Sequence, residues 1–303
     1  MTGSIDIHDK AEVLLEALPY IQRFQESIFV VKIGGSFMEE TGALRRVATD
    51  LVFLSTVGIR VVVVHGGGKA INRAMAEAQI EAVFRNGLRV TDARTVAIVE
   101  KTLNGETNQG IVDQLAALGG RPVGVFGQSV LTCERLSKDD AGNPVDLGFV
   151  GEVTGVDDQK IRAFLDAGQT PVISPVAVDA QGQYYNINAD VAAAHVAMAL
   201  CARRLFFMSD VPGLLRDPKD KDSLISTLPV NEVGPLKERG VISAGMMPKV
   251  DSAVQAIQTG VSRVHFIDGR VSHSLLLEIF TDRGVGTEIV KNQDSLHAIG
   301  HGQ

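Results

Sequence analysis

Two glycine-rich turns, each placed directly after a run of apolar residues, are the stretches of this sequence best suited to chemistry. The first follows the apolar run 28–33, which carries Lys32 near its end. The second follows four consecutive valines at 61–64 and reads His-Gly-Gly-Gly over residues 65–68. Bare glycine backbone lets a ligand approach closely, and a helix that begins after such a turn points unpaired N–H groups at it. Each turn is therefore either a candidate anion site or a tight turn without a ligand.

The repetition favours a binding site over two unrelated turns. The carboxyl ends of neighbouring parallel strands meet at the edge of an open α/β sheet, where ligands bind. Lys32 lies in a run of β-branched residues, where burial of an ammonium group is costly unless it meets a negative partner. A lysine beside two sets of free amides suits a phosphate, although the second turn matches neither the P-loop nor the dinucleotide-binding fingerprint.

Two further stretches place polar residues where a helix is predicted to begin. Asn186, Asn188 and Asp190 precede an alanine-rich run, and a helix cap accounts for only one of them. Lys249 lies near the start of another helix, where the helix dipole disfavours a cation. An anionic ligand would explain the lysine, whereas two asparagines and an aspartate in five residues exceed what a cap needs. An ordinary cap and a solvated lysine are the alternatives.

The elements that position these residues alternate between buried strands and amphipathic helices. Runs of apolar residues predict strands buried on both faces at 28–33, 61–64, 170–175 and 205–209. Apolar residues at helical spacing between them predict helices. The sequence thus predicts an α/β fold with an open, mostly parallel sheet sandwiched by helices, in two lobes. We place the lobes at residues 27–200 and 201–303.

Residues 1–26 form an N-terminal helical arm in this scheme. Apolar residues recur at helical spacing from 11 to 24, and Pro19 within that run predicts a kink or a split into two short helices. The apolar stripe either packs on its own lobe or contacts another subunit. The pattern alone leaves both open.

Composition excludes several classes of protein. The net charge of −7 argues against a general nucleic-acid binder. The two cysteines, Cys133 and Cys201, provide neither a disulfide framework nor a metal cluster and fit a reducing compartment. No apolar stretch approaches the ~20 residues needed to cross a bilayer, and the N-terminus lacks the pattern of a signal peptide. We therefore expect a cytoplasmic protein with no membrane partner, no nucleic-acid partner and no protein-bound metal site.

The ordered set of motifs resembles the amino acid kinase family, and within it the members that phosphorylate N-acetylglutamate. The resemblance runs from Phe29 to about Thr287. It is carried by Lys32-x-Gly34-Gly35, His65-Gly66-Gly67-Gly68, Gly87-Leu88-Arg89-Val90-Thr91, Gly148-Phe149-Val150-Gly151-Glu152, Asn186-x-Asn188-Ala189-Asp190, Asp210-Val211-x-Gly213 and Gly245-Met246-x-x-Lys249. Each motif alone is weak, but the combination in this order is highly specific. One departure is Gly127-Gln128-Ser129, where many relatives carry Gly-Lys-Asp.

The resemblance implies transfer of a phosphoryl group from ATP, with Mg²⁺, to the side-chain carboxylate of N-acetyl-L-glutamate. The products are N-acetyl-L-glutamyl 5-phosphate and ADP, in an early step of arginine biosynthesis. Substrate binding and dimerisation then belong to residues 27–200, and ATP binding belongs to residues 201–303. By the same resemblance, Lys32 and Lys249 stabilise the transition state, Asp190 orients both lysines, Gly67, Gly68, Arg89 and Asn186 bind the acceptor, and Gly34, Gly35, Ser209, Asp210 and Gly213 bind ATP.

Members of this family that arginine inhibits carry an extra N-terminal helix that links dimers into a hexamer. The arm resembles those members, and so does the C-terminal segment, residues 265–287, through His265 and the stretches 273–280 and 284–287. This resemblance implies arginine as an inhibitor and a homo-oligomer, a hexamer or else a dimer. The candidate effector residues are Tyr20, His265, Glu278, Gly284 and Gly286. In the alternative, residues 275–280 are simply a core helix with Glu278 on its solvent face. A nitrogen-signalling regulator is a further partner compatible with the resemblance.

Other functions stay open at this point. Carbamate kinase, glutamate 5-kinase and aspartokinase share the lobe architecture, but the motifs at 87–91 and 186–190 together fit them less well. Acetylglutamate synthase contains a similar domain, and we expect this chain to lack room for the additional acetyltransferase domain. A non-catalytic, arginine-sensing module is the alternative from a different class, and intact Lys32, Asp190 and Lys249 argue against it.

Overall fold

The computed structural model describes residues 7–40, 42–139, 142–242 and 245–292 of the chain. Residues 1–6 of the predicted arm and residues 293–303 of the predicted second lobe lie outside the described residues. In the part that is described, no helix is long and apolar enough to cross a membrane.

Strands and helices alternate along most of the chain. The strands are β1 Ile28–Ile33, β2 Arg60–His65, β3 Phe84–Arg85, β4 Leu88–Arg89, β5 Pro122–Val125, β6 Leu131–Arg135, β7 Gly151–Val156, β8 Thr170–Ile173, β9 Val176–Val178, β10 Tyr184–Asn186, β11 Arg204–Ser209, β12 Thr227–Pro229, β13 Arg263–Asp268 and β14 Thr287–Val290. The helices are α1 Ile7–Phe24, α2 Ala43–Thr56, α3 Gly68–Glu77, α4 Ala93–Thr102, α5 Asn108–Ala117, α6 Asp158–Asp166, α7 Ala189–Ala199, α8 Val230–Glu238, α9 Met247–Thr259 and α10 Ser274–Ile279. A π-helical turn, Leu103–Thr107, joins α4 to α5.

Eight of the described strands form the central sheet, in the order β12-β14-β13-β11-β1-β2-β8-β5. Among these strands only the β13–β14 pair is antiparallel. This arrangement confirms the predicted open, mostly parallel sheet. The strands that carry the two glycine turns, β1 and β2, are parallel neighbours, so both turns lie at the same edge of the sheet. The predicted boundary between the lobes falls between α7 and β11 and stays a prediction, because strands from both sides share this sheet.

Side-chain alternation along β1 and β2 explains why helices cover both faces of the sheet. Val30, Val62 and Val64 belong to the core that contains the alanines of α7. Val31 and Val63 belong to the core on the other face, which contains the apolar residues of α2. Because successive strand residues point to opposite faces, a run of valines is buried only when a layer of helices lies on each side.

Two smaller sheets position the residues predicted to bind the acceptor. One has the order β10-β9-β6-β7, and its strand β10 ends at Asn186, just before α7. The other is the antiparallel pair β3–β4, which brings Arg89 opposite Phe84. Asn86 and Gly87 join these two strands with φ values of 49° and 78°. Positive φ at both central residues is typical of the tight hairpin turn that an Asn-Gly pair favours.

Helix α1 contacts the rest of the protein mainly through its C-terminal turn. It runs unbroken from Ile7 to Phe24, so of the two outcomes predicted at Pro19 the split is wrong and the kink stays a prediction. Proline removes one helical hydrogen bond, and a carbonyl freed on an exposed helix can bond to water instead. Phe24 is buried, whereas apolar residues nearer the N-terminus are between 43% and 71% exposed: Val13, Leu14, Leu15 and Leu18. That surface is available to a partner.

Candidate active site

Two lysines share one aspartate where β1, α7 and α9 meet. Nζ of Lys32 lies 2.8 Å from Oδ1 of Asp190, the second residue of α7. Lys249, near the start of α9, donates a hydrogen bond to Oδ2 of the same carboxylate. Lys32 and Asp190 are each only 6% exposed. The structure thus brings together three residues that are far apart in the sequence.

Burial and charge act against each other on the pKa values of this cluster. Burial alone would raise the pKa of Asp190. The positive charges of Lys32 and Lys249 have the larger effect and lower that pKa to about 2, so the carboxylate stays ionised. Burial lowers the pKa of Lys32, and Asp190 opposes that effect. With both lysines protonated, the cluster holds one positive charge in excess. A phosphoryl group would balance that excess.

The turn after β1 packs against the end of β11. Gly34 lies so close to the Lys32 ammonium group that a Cβ at this position would overlap it. Gly35 has a φ of 120°, which favours glycine. The next residue, Ser36, donates from Oγ to Oδ2 of Asp210 over 2.8 Å, and this bond lowers the pKa of Asp210. The candidates for ATP binding that surround this turn are Gly34, Gly35, Ser209 and Asp210.

Gly213, the remaining candidate for ATP binding, borders a different strand. Its φ is 140°, and the N–H of Leu214 donates to Oγ1 of Thr287, the first residue of β14, over 2.9 Å. Its neighbours therefore place Gly213 beside β14, two strands away from β11 in the sheet.

The turn after β2 leaves backbone donors unpaired. No acceptor for the N–H of Gly67 or Gly68 is found in the described part of the chain. A Cβ on Gly67 would meet Leu103 at 2.5 Å, whereas space around Gly68 is open. Because Gly68 opens α3, its N–H also carries the partial positive charge of a helix N-terminus. Together these groups can bind an anion.

Arg89 is a buried cation beside that turn. Its Nη2 donates to O of Gly68 over 3.2 Å and to Oδ1 of Asn72 over 2.7 Å, and its guanidinium lies 4.7 Å from the Phe84 ring centroid. It is 6% exposed, and burial lowers its pKa. Among the described residues it forms no ion pair with an acidic side chain. A buried guanidinium without an acidic partner can bind the carboxylate of a ligand.

Asn186 is joined to this region through Thr91. Its Nδ2 donates to Oγ1 of Thr91 over 3.3 Å, and Thr91 in turn donates to O of Arg89 over 2.9 Å. Two residues later, Asn188 caps α7 by accepting from the N–H groups of Asp190 and Val191. The stretch therefore contains a true cap, and Asn186 and Asp190 remain for other roles.

His65 and Asn108 are buried behind the second glycine turn, and neither was among the predicted site residues. His65 is 0% exposed, with Nδ1 2.8 Å from O of Gly66 and Nε2 3.2 Å from Nδ2 of Asn108. Nδ2 of Asn108 also donates to O of Val172 over 2.8 Å. Burial lowers the pKa of His65 to about 4. The histidine could be seen in the sequence, but its partner lies in a distant helix.

Hydrogen bonds centred on Asn104 surround the departure at Gln128, and one of them runs from Nδ2 of Asn104 to the carboxylate of Glu100 over 2.9 Å. Asn104, in the π-helical turn, donates from Nδ2 to Oε1 of Gln128 over 3.1 Å. Ser174 donates to Oδ1 of Asn104 over 2.5 Å and accepts from the N–H of Gly127 over 2.9 Å. The loop is thus held by hydrogen bonds through Asn104 and Ser174.

A divalent cation that binds together with a phosphate ligand needs few ligands from the protein. In the described part of the chain, no three His, Cys, Asp or Glu side chains are grouped so as to hold a metal ion. Mg²⁺ commonly binds through one or two carboxylates together with substrate phosphates. Asp210, ionised and adjacent to the first glycine turn, fits the protein part of such a set.

Four of the five predicted effector residues line a second pocket, of about 390 Å³, between α1 and the C-terminal segment. Tyr20, His265, Glu278 and Gly284 line it. Arg204 and Arg263, the first residues of β11 and β13, line it too and were not predicted. The glycine turns follow the carboxyl ends of their strands, whereas Arg204 and Arg263 stand at the amino ends of theirs. The pocket therefore lies at the opposite edge of the sheet.

Glu278 organises one wall of this pocket. It is only 7% exposed, so the alternative that placed it on a solvent face is wrong. Its Oε1 lies 2.7 Å from Nδ1 of His265, and its Oε2 accepts from the N–H groups of Val285 and Gly286 over 2.7 and 2.9 Å. These partners satisfy a carboxylate that helical periodicity alone would place in water. Gly286 therefore contacts Glu278, although it does not line the pocket.

Acid is expected to destabilise the fold through His65. Its pKa is about 4 in the folded protein against an ordinary 6.5, so the unfolded chain binds a proton more readily between those values. The free energy of unfolding therefore falls as pH falls, by about 2 kcal/mol from pH 7 to pH 5 for this residue. Urea unfolding at both pH values measures the loss. His65→Asn, which cannot titrate, should lose about 2 kcal/mol less, and equal losses in the two proteins would contradict the prediction.

Comparison with known proteins gives the family. Residues 27–268 match the model of the amino acid kinase family, and the chain belongs to that family. Acetylglutamate kinase from Akkermansia muciniphila is 45% identical over 287 residues, which cover 94% of this chain and 97% of that protein. Acetylglutamate kinase from Thermosynechococcus vestitus is 49% identical over 282 residues, covering 93% of this chain and 94% of that protein. The predicted resemblance is confirmed.

A solved structure supports the fold. N-acetylglutamate synthase from Neisseria gonorrhoeae, complexed with coenzyme A and N-acetyl-glutamate, matches with a TM-score of 0.82 at 29% identity. The match covers 93% of this chain and 63% of the synthase chain. This chain therefore corresponds to one part of that larger protein.

Proposed function

We propose that this chain is an ATP-dependent kinase that phosphorylates the side-chain carboxylate of N-acetyl-L-glutamate, an early step of arginine biosynthesis. The observation that carries the proposal is the buried Lys32–Asp190–Lys249 cluster beside two glycine turns at one sheet edge. Its relatives of 45% and 49% identity are acetylglutamate kinases, which favours this acceptor over carbamate or free glutamate. We place the activity in the cytoplasm.

The acceptor lies over the second glycine turn in this proposal. Arg89 binds the α-carboxylate through two parallel hydrogen bonds. It is buried and has no acidic partner among the described residues. Asn186 binds the acetamide, because its Oδ1 accepts no hydrogen bond elsewhere in the described chain and can accept from the amide N–H. The side-chain carboxylate then points toward Gly67 and Gly68.

The reaction requires little covalent help from the protein. A carboxylate oxygen of the acceptor attacks the γ-phosphorus of ATP while the bond to the leaving oxygen of ADP breaks. Lys32, Lys249 and the N–H groups of the second turn offset the negative charge on the transferring group. Asp190 keeps the two ammonium groups at fixed positions. Asp210 would hold Mg²⁺ together with the phosphates of ATP, and the ion would neutralise part of their charge.

A coupled assay of ADP release tests the proposal directly. Purified chain is supplied with ATP, Mg²⁺ and one acceptor at a time: N-acetyl-L-glutamate, L-glutamate, L-aspartate or carbamate. Turnover should be fastest with N-acetyl-L-glutamate. Faster turnover with another acceptor would refute the assignment. Arginine binding without turnover of any acceptor would establish the sensing module instead.

We also propose that arginine inhibits the enzyme from the second pocket. The pocket offers the buried carboxylate of Glu278 and the guanidinium of Arg204, which is 8% exposed and lies 4.5 Å from the Phe24 ring centroid. A ligand with a cationic end and a carboxylate would complement both. Tyr20 joins helix α1 to this pocket by donating to Oδ1 of Asp282 over 2.5 Å, which raises the pKa of Tyr20 to about 12.

The exposed apolar residues of α1 support a homo-oligomer larger than a dimer. We propose that this face joins dimers into a hexamer, since Val13, Leu14, Leu15 and Leu18 are exposed and belong to none of the hydrophobic cores in the described part of the chain. A nitrogen-signalling regulator as a further partner rests on the family resemblance alone.

Substituting aspartate for Leu14 and Leu18 is expected to yield active dimers whose response to arginine is weaker. Both residues are exposed, so the protomer should keep its stability, while burial of two carboxylates at an interface is costly. Light scattering measures the oligomer, and inhibition curves measure the response. Loss of the coupling should shift the arginine concentration for half-inhibition about 5- to 150-fold.

Glu278→Gln is the matched comparison for that experiment. It keeps an acceptor for the N–H groups of Val285 and Gly286 but removes the charge. It should stay hexameric and lose arginine inhibition. A wild-type protein that runs as a dimer and ignores millimolar arginine would contradict the regulatory proposal.

A further inference from the structure

The side chain of His65, which has no role in the proposed reaction so far, contacts the peptide group between Gly66 and Gly67. A carbonyl oxygen can only accept, so the 2.8 Å contact of Gly66 O with Nδ1 of His65 requires a hydrogen on Nδ1. In a trans peptide the C=O of one residue and the N–H of the next point in opposite directions, and no cis peptide bond occurs among the described residues. The N–H of Gly67 therefore points away from the imidazole.

The tautomer of His65 is determined by a second, independent contact. Nδ2 of Asn108 donates to the carbonyl of Val172 over 2.8 Å, which orients the Asn108 amide because that carbonyl cannot donate. The other hydrogen on Nδ2 is available to Nε2 of His65, 3.2 Å away. Nε2 must then accept, and the ring is neutral with its hydrogen on Nδ1. Each polar atom of the His65 ring has one partner and one role.

A glycine pair needs such a restraint. The peptide between Gly66 and Gly67 is flanked by residues without Cβ atoms, so its plane can rotate more easily than in any other sequence. On the far side, Leu103 packs against Gly67, but an apolar contact does not select the direction of a C=O. The hydrogen bond from Nδ1 does select it.

We propose that His65 is a positioning residue for phosphoryl transfer, which aims the Gly67 N–H at the transferring group by fixing the Gly66 carbonyl. Asn108 positions His65 in turn, because its hydrogen bond to Nε2 keeps the hydrogen of the ring on Nδ1. This inference rests on the proposed function for the identity of the transferring group. It assigns a role to the histidine of the His-Gly-Gly-Gly motif, which touches neither substrate in the proposal above.

Two variants separate positioning from packing. In His65→Asn, the side-chain NH₂ occupies the place of Nδ1 and can still donate to Gly66 O, while the contact with Asn108 is lost. In His65→Gln, the amide reaches the place of Nε2 and keeps a contact with Asn108, while the bond to Gly66 is lost. Each variant removes one hydrogen bond and part of the ring volume, so the two should have similar melting temperatures.

The expected difference is in kcat. His65→Gln should lose about 10- to 100-fold in kcat, below the full cost of deleting an oxyanion donor, with KM values for ATP and acceptor within about threefold of wild type. His65→Asn should stay within about threefold of wild type in all three parameters. Equal kcat values for the two variants would overturn the proposal, because loss of packing alone affects both.

A spectroscopic measurement decides the question if either variant fails to fold. In wild-type protein labelled with ¹⁵N-histidine, nitrogen chemical shifts distinguish the two tautomers, and the resonance of His65 should report hydrogen on Nδ1 throughout pH 6 to 8. Hydrogen on Nε2 would overturn the proposal. Wild-type protein that shows this tautomer but does not phosphorylate N-acetylglutamate would instead contradict the proposed function alone.

Discussion

Replacing Lys32 or Lys249 by methionine is expected to lower kcat by about 10²–10³-fold in each case, because each lysine supplies charge that matters most in the transition state. Methionine keeps most of the volume of the lysine stem, so the packing around Asp190 should change little. The two lysines approach the same carboxylate from β1 and α9, and neither can replace the other. Steady-state kinetics with ATP and N-acetyl-L-glutamate measure the loss.

The pattern of the kinetic constants identifies the mechanism. An interaction made only in the transition state lowers kcat and kcat/KM equally, whereas one that binds both states alike raises KM. We expect the first pattern for Lys32 and Lys249. Lys101→Met, which removes an exposed cation at the end of α4, is the control and should leave both constants unchanged. A folded Lys32→Met or Lys249→Met enzyme with near-normal turnover would exclude the two-lysine mechanism.

The central part of the fold could be predicted because its signals are local. The apolar runs at 28–33 and 61–64 predict buried strands without reference to any distant residue. They form β1 and β2 in the structure, and the glycine turns follow them as expected. Pro19 shows the limit of a local rule, since an exposed helix tolerates a missing hydrogen bond that a buried one would not.

The pairing of site residues could not be predicted from local pattern. Lys32 requires a negative partner, but nothing near it in the sequence indicates that the partner is Asp190. That contact depends on the packing of α7 beside β1, which is set by the order of strands in the sheet. His65 and Asn108 were missed for the same reason. A histidine is unremarkable in sequence until the element that faces it is known.

Glu278 illustrates how tertiary partners override periodicity. A glutamate on an amphipathic helix normally faces water, because burial of an unpaired carboxylate is costly. Here one histidine and two backbone N–H groups, all from other elements, satisfy both oxygens. The sequence shows the residue types but not that they converge.

Free L-glutamate is expected to be a poorer acceptor than N-acetyl-L-glutamate by about 10⁴-fold in kcat/KM. A site built to hydrogen-bond a substrate group rejects an analogue without that group strongly, because its own polar atoms are left unpaired. In glutamate an ammonium group replaces the acetamide, so Asn186 would lose its partner and face a charge that it cannot neutralise. Arg89 should not discriminate, since both molecules carry the same α-carboxylate.

Two substitutions test whether Asn186 binds the acetamide and Arg89 binds the α-carboxylate. Asn186→Asp places a carboxylate beside the ammonium group of glutamate, so activity with glutamate should rise while activity with N-acetyl-L-glutamate falls, and the selectivity should shrink by at least about 10²-fold. Arg89→Met should weaken both acceptors to the same extent and leave their ratio unchanged. If instead Arg89→Met altered the ratio and Asn186→Asp did not, the acceptor would lie in the opposite orientation, with its acetamide toward Arg89. That outcome would still leave phosphoryl transfer at the Lys32–Asp190–Lys249 cluster, because both ends of the acceptor are distant from the carboxylate that reacts.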